Sequence, residues 1–343
     1  MVDAQMARRV NVPALYMFGD STADAGNNNQ LSENGVLKVN FAPYGIDYPD
    51  EIATGRFCNG KIEIDYIAMM IGFKGSPPPY LSTINNPLKQ AKGVNFASGG
   101  SGILDTTGQN TSISLNAQLM DFKRTKEILI KAKGKVRAKR FLAKSIILFS
   151  IATNDLFAFV QKFGFQNTTQ NGIFVSSLAT QFKSQIKRIY QLGGRKFVVF
   201  GVGRLGCLPA SRVVNANYSC SKDLNDLSKL FNIVLKMELH HLSSRCRRMS
   251  VSYIDSYGIN EVIASSPLKY GFTELKAACC GSGVLNAQGF CLPNSTFCEN
   301  RNQYISWDLI HSTQALNEVS ANLSFYGSPT FAYPINIQEL VSM

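Results

Sequence analysis

Short apolar runs alternate along the chain with longer segments in which apolar residues recur every three or four positions. The short runs are rich in β-branched and aromatic residues, which favours buried strands, and the longer segments have the period of amphipathic helices. We predict strands at Pro13–Phe18, Val94–Ala97, Ile146–Ile151, Phe197–Phe200 and Val251–Ile254. We predict helices at Lys61–Ile71, Ser114–Ala132, Gly172–Leu192 and Lys222–Met249, with one more after His311.

The alternation of strands and helices predicts an α/β fold: a doubly wound, mostly parallel five-stranded sheet flanked by helices. The chain shows no internal repeat, no low-complexity tract and no Pro/Ser-rich linker. Because domain boundaries fall in such linkers, we expect residues 1–343 to form one domain.

The composition favours a large folded core. Of the 343 residues, 45% are hydrophobic and 17% are charged, a balance that excludes disordered, collagen-like and coiled-coil proteins. A membrane-spanning helix needs ~20 consecutive apolar residues. The most apolar uncharged run, Ser145–Asn154, has only about half that length, so the sequence predicts no transmembrane segment.

Positive charge is in excess, with 35 Lys and Arg against 23 Asp and Glu, a net charge of +12. Part of the excess lies in Lys123–Lys144, a helix-like segment that fits either a nucleic-acid contact or a solvated helix face. Zinc-finger spacing, an aromatic RNA-binding signature and basic-zipper heptads are all missing from the sequence. We therefore expect no nucleic-acid partner, and we expect a weak attraction to an anionic polymer such as an acidic cell-wall polysaccharide.

The cysteines indicate disulfides and hence an oxidising compartment. The spacings inside the cluster of four near the C-terminal end fit no common zinc site. We expect Cys207 to pair with Cys220, and two bridges within the cluster, for which three pairings stay open. Cys58 and Cys246 are expected to be reduced. The cluster comprises Cys279, Cys280, Cys291 and Cys298.

Five glycosylation sequons agree with an extracellular protein. The segment Met1–Arg9 lacks the apolar stretch of a secretory signal. Either a signal has been removed from this chain or the protein is not secreted, and we favour removal. The candidate acceptors are Asn110, Asn167, Asn217, Asn294 and Asn322.

Polar residues follow the predicted strands at the edge where open α/β sheets bind their ligands. The three relevant segments are Gly19–Ser21, Ser98–Gly100 and Ala152–Asp155. Together they offer a hydroxyl, unhindered backbone amides and a side-chain amide. These are the components of an acyl-transfer site.

The chain has three histidines, and one of them has a favourable neighbour. His240 and His241 are adjacent in a predicted helix and are interpreted as helix-surface residues. His311 follows Asp308 by three positions, so the carboxylate can hold Nδ1–H and leave Nε2 for a nucleophile. On its own this spacing also fits a surface ion pair.

Five ordered motifs then make the chain resemble the plant GDSL esterase/lipases of the SGNH-hydrolase superfamily, over nearly its whole length. The glycine turn Gly203–Pro209, Tyr270–Phe272 and Cys279–Gly281 are further shared features. The resemblance implies a flavodoxin-like three-layer sandwich and a serine esterase/lipase that works through an acyl-serine intermediate. The motifs are Phe18–Asn29 (FGDSTADAGNNN), Thr54–Gly60 (TGRFCNG), Gly93–Gly102 (GVNFASGGSG), Ser150–Asp155 (SIATND) and Trp307–Asn317 (WDLIHSTQALN).

By the same resemblance, Ser21 is the nucleophile, His311 the general base and then acid, and Asp308 the residue that orients His311. The oxyanion hole is expected from the backbone N–H groups of Ser21 and Gly100 and the side-chain amide of Asn154. No cofactor and no metal is implied. Three more motif residues, Asp24, Asn27 and Asp155, are expected to hold the loops.

Three residues depart from the family pattern: Ala152 stands for a glycine, Ser312 for a proline and Cys58 for a serine. They bear on substrate fit rather than on the reacting groups. The substrate is an acyl ester, either small or carried on a polymer, and its identity stays open. An acyltransferase using the same acyl-enzyme, or a catalytically silent binding member, is the alternative.

One glycine pattern points elsewhere. Gly201, Gly203 and Gly206 match the dinucleotide-binding fingerprint after a predicted strand. That fingerprint needs a helix to begin there and meet the pyrophosphate. Pro209 follows instead, and the next helix is predicted near Lys222, so we interpret the segment as a loop of the acyl site.

Overall fold

Five parallel strands form the centre of the molecule. Each overlaps a strand predicted from the sequence, and its ends lie within a few residues of the predicted ends. The structure, a computed structural model, describes residues 12–343, so Met1–Arg9 lies outside the described residues. The strands are β1 (Leu15–Gly19), β2 (Gly93–Asn95), β3 (Ile146–Ser150), β4 (Lys196–Phe200) and β5 (Ser250–Ile254). Their order in the sheet, β5-β4-β3-β1-β2, is that of the flavodoxin-like doubly wound fold.

The main sheet has one strand more than predicted. Four short strands outside it are β6 (Glu274–Ala278), β7 (Cys280–Gly281), β8 (Thr296–Phe297) and β9 (Tyr304–Ser306); β6 pairs with β9 and β7 with β8. The extra strand, β10 (Ala332–Tyr333), lies antiparallel to β5 at the sheet edge. It has only two residues, too few for an alternating pattern, and a proline follows it, which suits an edge position.

The five predicted helices are confirmed, and the structure adds others. The basic segment is two helices separated at Gly134 rather than one. In chain order the helices are α1 (Glu63–Ile71), α2 (Leu115–Lys133), α3 (Lys135–Lys144), α4 (Thr153–Phe163), α5 (Thr168–Leu192), α6 (Pro209–Arg212), α7 (Lys222–Arg245), α8 (Ser256–Ser265), α9 (Gln314–Tyr326) and α10 (Ile337–Ser342). The unpredicted helices are α4, α6, α8 and α10, all of 11 residues or fewer.

Apolar side chains cover both faces of the sheet. In β1, Phe18 packs into one core cluster and Met17 into the other, because successive residues of a strand point to opposite faces. The first cluster includes residues of α2, α5 and α7, and the second includes residues of α1, α8, α9 and α10. Across residues 12–343, no helix is both long and apolar enough to cross a bilayer.

Three disulfides fix the loops around the carboxyl end of the sheet. Cys207 is bonded to Cys220, as expected, which joins the loop after β4 to the residue before Ser221, the N-cap of α7. The cluster of four forms the pairs Cys279–Cys298 and Cys280–Cys291. Cys58 and Cys246 are reduced and buried.

Candidate active site

The predicted site residues converge at the carboxyl edge of the sheet. Ser21 lies in the turn after β1, Gly100 in the loop after β2 and Asn154 in the first turn of α4, directly after β3. Since β1 lies between β2 and β3, these three loops are neighbours in space. Asp308 and His311 approach from the other end of the chain, on the loop between β9 and α9.

A continuous chain of hydrogen bonds joins Ser21, His311 and Asp308. The distance from His311 Nε2 to Ser21 Oγ is 2.8 Å, and the distances from His311 Nδ1 to the two carboxylate oxygens of Asp308 are 2.8 and 2.9 Å. A carboxylate only accepts hydrogen bonds, so Nδ1 carries the proton and Nε2 faces the Ser21 hydroxyl as an acceptor. Ser21 and His311 are each 9% exposed.

Asp308 stays ionised although it is buried. Burial alone would raise its pKa, but the neighbouring His311 and hydrogen bonds to the carboxylate hold the pKa below its ordinary value. Those bonds include the hydroxyl of Tyr44 at 2.7 Å and the backbone N–H of Ile310 at 2.9 Å. The carboxylate is thereby fixed and charged where it orients His311.

The loop that carries these two residues is tight. The backbone N–H of Trp307 donates to the carbonyl oxygen of His311 at 2.7 Å, and the N–H of Cys280 donates to that of Trp307, also at 2.7 Å. The disulfide-bonded segment is therefore the support of the His311 loop. The ring of Phe57 packs on the imidazole, with centroids 4.9 Å apart.

The three N–H groups predicted for the oxyanion hole lie in the loops after β1 and β2 and in the first turn of α4. In the described part of the chain, the backbone N–H groups of Ser21 and Gly100 make no hydrogen bond to another protein group. Gly100 has φ +88°, a conformation that favours glycine, whereas a Cβ there would meet no atom closer than 3.8 Å. Asn154 Nδ2 donates to the carbonyl oxygen of Ser101 at 2.9 Å, which holds the amide and leaves its second N–H available.

The remaining motif residues hold the loops. Asp24 accepts hydrogen bonds from the N–H groups of Gly26 and Asn27, both at 2.7 Å, and from that of Gly99 at 3.0 Å. Burial raises the pKa of Asp24 to about 6. Asp155 accepts from two backbone N–H groups and a threonine hydroxyl in the loop after β2.

Sequence reasoning missed two residues that position the site. Tyr44 reaches Asp308 over 264 positions of sequence, and no local pattern marks such a contact. Gln118 of α2 accepts from the Gly19 N–H and donates to the Gly19 carbonyl oxygen, at 3.0 and 2.9 Å, which holds the end of β1. The sequence did carry a signal for Gln118, since it is a polar residue on the apolar face of a predicted helix.

The three departures from the family pattern sit next to the site. Cys58 and Ser312 both contact Asn317 of α9: Asn317 Nδ2 lies 3.5 Å from Cys58 Sγ, and Ser312 Oγ lies 2.8 Å from Asn317 Oδ1. Ala152 is fully buried and has φ +114°. That backbone conformation is strained for alanine and unstrained for glycine.

Ser21 and His311 open into a cavity of about 220 Å³. The segment with the three glycines lines this cavity, and the short helix α6, not a long one, follows it. Glu63 also lines the cavity, and burial raises its pKa to about 7. Much of the wall is apolar, with Phe57, Ile62, Phe200, Val202, Ile263 and Ile305 among its residues.

The two other histidines and the sequon asparagines lie on the surface, outside the cavity of Ser21 and His311. His240 and His241 are exposed on α7. The five sequon asparagines are likewise exposed: Asn110, Asn167, Asn217, Asn294 and Asn322.

Comparison with known proteins gives one family. The model of the GDSL-like lipase/acylhydrolase family matches residues 15–323. Two GDSL esterase/lipases of Arabidopsis thaliana are 36% and 35% identical, over 97% and 99% of this chain and 86% and 93% of their own length. GDSL esterase/lipase 7 of the same plant is 34% identical, over 96% of this chain and 92% of its own.

We expect Ala152→Gly to raise the free energy of unfolding by about 1 kcal/mol, because glycine relieves the backbone strain at this positive φ. Activity should be equal or modestly higher, since the same turn aims Asn154. Urea denaturation measures the change, with Ala158→Gly as the control inside α4. In this control the free energy of unfolding should fall by about 1 kcal/mol, because glycine is unfavourable inside a helix. A loss of stability in Ala152→Gly would contradict the strain argument.

Proposed function

The chain belongs to the GDSL-like lipase/acylhydrolase family, and we propose that it cleaves its substrate through an acyl intermediate on Ser21. Membership makes it a carboxylic ester hydrolase. The observation that supports the mechanism is the hydrogen-bond chain from Ser21 through His311 to Asp308 at the mouth of an apolar cavity.

In the first half of the reaction, Ser21 Oγ attacks the ester carbonyl carbon while its proton passes to His311 Nε2. The resulting imidazolium is stabilised by the Asp308 carboxylate. As the tetrahedral intermediate collapses, the ester C–O bond breaks and His311 gives its proton to the leaving alkoxide. An acyl-serine and a free alcohol result.

The negative charge on the carbonyl oxygen develops where the three N–H donors converge. The backbone N–H groups of Ser21 and Gly100 and the amide of Asn154 are held by the fold before substrate arrives, so little reorganisation is needed. The apolar cavity wall accommodates the apolar portion of the ester.

In the second half, water attacks the acyl carbon, its proton passes to His311, and Ser21 regains its proton when the acid leaves. An alcohol in place of that water would make the enzyme an acyltransferase. Product analysis with and without added alcohol separates the two reactions: free acid is expected as the main product, and a new ester as the main product would contradict hydrolysis.

We expect Ser21→Ala and His311→Ala each to lower kcat for a short-chain aryl ester by at least about 10³-fold. The double variant should be no worse than either single one, because both residues serve one step. Thermal melting should show that each variant is folded. Activity of Ser21→Ala within about tenfold of wild type would exclude Ser21 as the nucleophile, and additive losses would exclude a shared step.

We expect Asn154→Ala to lower kcat by about 10²-fold or more with KM nearly unchanged, because the amide acts mainly on the transition state. Kinetic constants and melting temperature are measured on the same variant. Its control is Asn116→Ala, which changes an asparagine of α2 outside the oxyanion hole. A destabilised but fully active Asn154→Ala protein would instead show that Asn154 only stabilises its own turn and takes no part in the oxyanion hole.

We also propose that the protein is secreted. Its three disulfides fit an extracellular protein, because disulfides persist in oxidising compartments. Five exposed sequons fit the same location.

The basic helices α2 and α3 are the proposed contact with an anionic wall polymer. Residues 123–144 hold ten basic residues and one acidic residue, nine of the chain's twelve net charges. Burial lowers the pKa of Lys126, and so do the charges of Lys123, Lys135 and Lys139. These lysines are therefore close enough to form one positive surface.

Fractionation of the producing cells tests secretion. We expect the protein outside the cells, with its disulfides intact. Salt elution from immobilised polygalacturonate tests the basic surface. We expect the wild-type protein to elute at higher salt than the variant in which Lys131, Lys135 and Lys139 are changed to Gln. Recovery from the cytosol with free thiols would contradict secretion, and identical elution would contradict the basic surface.

A further inference from the structure

Two arginines line the cavity that contains Ser21 and His311, and within the described residues neither forms a salt bridge. Arg204 lies in the glycine segment after β4, and Arg212 is the last residue of α6. Taking a guanidinium out of bulk water without a counter-charge is costly. Both side chains are half-buried on the wall of a largely apolar cavity, where an anion from outside the chain would offset part of that cost.

Arg212 is held rigidly with respect to the catalytic loop. Its Nε donates to the carbonyl oxygen of Cys207 at 2.8 Å and one Nη to that of Tyr218 at 3.0 Å, which leaves the other Nη unused. The N–H of Ala210 in the same helix donates to the carbonyl oxygen of Leu309 at 2.9 Å. The position of the guanidinium is thus tied to the loop that carries His311.

Arg204 contributes a donor without an acceptor. Its Nε is buried and, among residues 12–343, has no hydrogen-bond partner. Arg204 and Arg212 line the same cavity. Burial lowers the pKa of Arg212 and the charge of Arg204 lowers it further, as expected for two cations on one wall. Buried polar donors are nearly always satisfied, and an anion bound between the two arginines would satisfy this one.

The acidic residues nearby do not neutralise the pair. Glu274 attracts Arg212, but its Oε1 accepts from the backbone N–H groups of Lys276 and Ala277, at 2.6 and 2.9 Å. Glu63 lines the same cavity and accepts a hydrogen bond from the hydroxyl of Ser324 at 2.9 Å. Neither carboxylate lies within 4.0 Å of an arginine nitrogen in the described chain.

We propose that Arg204 and Arg212 form an anion subsite of the catalytic cavity, and that the enzyme takes esters carrying a second group that is a carboxylate. The proposal rests on the proposed function of Ser21, because the subsite is useful only beside a reacting ester. Guanidinium groups pair with carboxylates through charge-assisted, geometrically matched hydrogen bonds. The carboxylate sets which ester is preferred, and the apolar wall takes the rest of the molecule.

Matched pairs of substrates test the subsite. In the first pair the free carboxylate is on the acyl part: mono-4-nitrophenyl adipate is compared with methyl 4-nitrophenyl adipate. In the second pair the carboxylate is on the alcohol part: 4-acetoxybenzoate is compared with methyl 4-acetoxybenzoate. We expect kcat/KM to favour the carboxylate by about tenfold or more in at least one pair. In Arg204→Met that preference should fall about tenfold, and Arg204→Lys should restore part of it. The control Arg247→Met makes the same change on the exposed surface outside the cavity.

A binding measurement separates failure of the subsite from failure of the mechanism. Calorimetry on Ser21→Ala should show monoethyl adipate binding at least tenfold more tightly than diethyl adipate, with the difference lost in Ser21→Ala/Arg204→Met. Equal binding of the two esters, or a preference unchanged by Arg204→Met, overturns the subsite while hydrolysis stands. If wild type hydrolyses no ester yet the binding preference is present, the mechanism fails and the subsite stands.

Discussion

The hydrogen bonds of His311 to Ser21 and Asp308 set the demands that the surrounding fold has to meet. They join the first strand of the sheet to a loop 290 residues later in the chain, and they work only if Asp308 is both buried and ionised. The Tyr44 hydroxyl and the N–H groups of the loop make that state stable by supplying the hydrogen bonds that water would otherwise give. In the proposed mechanism, the geometry of these hydrogen bonds governs how far the ester carbonyl lies from Ser21 Oγ.

Several hydrogen bonds elsewhere in the fold hold the segments that surround Ser21, His311 and Asp308. Gln118 holds the end of β1 at Gly19, the disulfide-bonded segment holds the backbone of Trp307, and Asn154 ties α4 to the loop after β2. Each support joins two segments that are separate in the sequence. The doubly wound sheet brings these loops to one edge, and the polar bridges then fix them relative to one another.

The central strands could be predicted because parallel strands covered on both faces are continuous apolar runs. The nucleophile and the oxyanion donors could be expected from family motifs that follow those strands, and the base from the motif Trp307–Asn317 near the other end of the chain. Other features had no local signal. The contact between Tyr44 and Asp308 joins residues 264 positions apart, and the two-residue β10 is too short to show a period. The pairing inside the cysteine cluster depends on three-dimensional proximity that spacing does not encode.

Covalent trapping can show which serine forms the acyl-enzyme. A fluorophosphonate that reacts with activated serines is incubated with the protein, and the adduct is located by intact mass and peptide mapping. We predict one adduct per molecule on the peptide that contains Ser21, lost in Ser21→Ala and formed much more slowly in His311→Ala, whose serine lacks its base. Labelling at another residue, or labelling that Ser21→Ala does not diminish, would exclude Ser21 as the nucleophile.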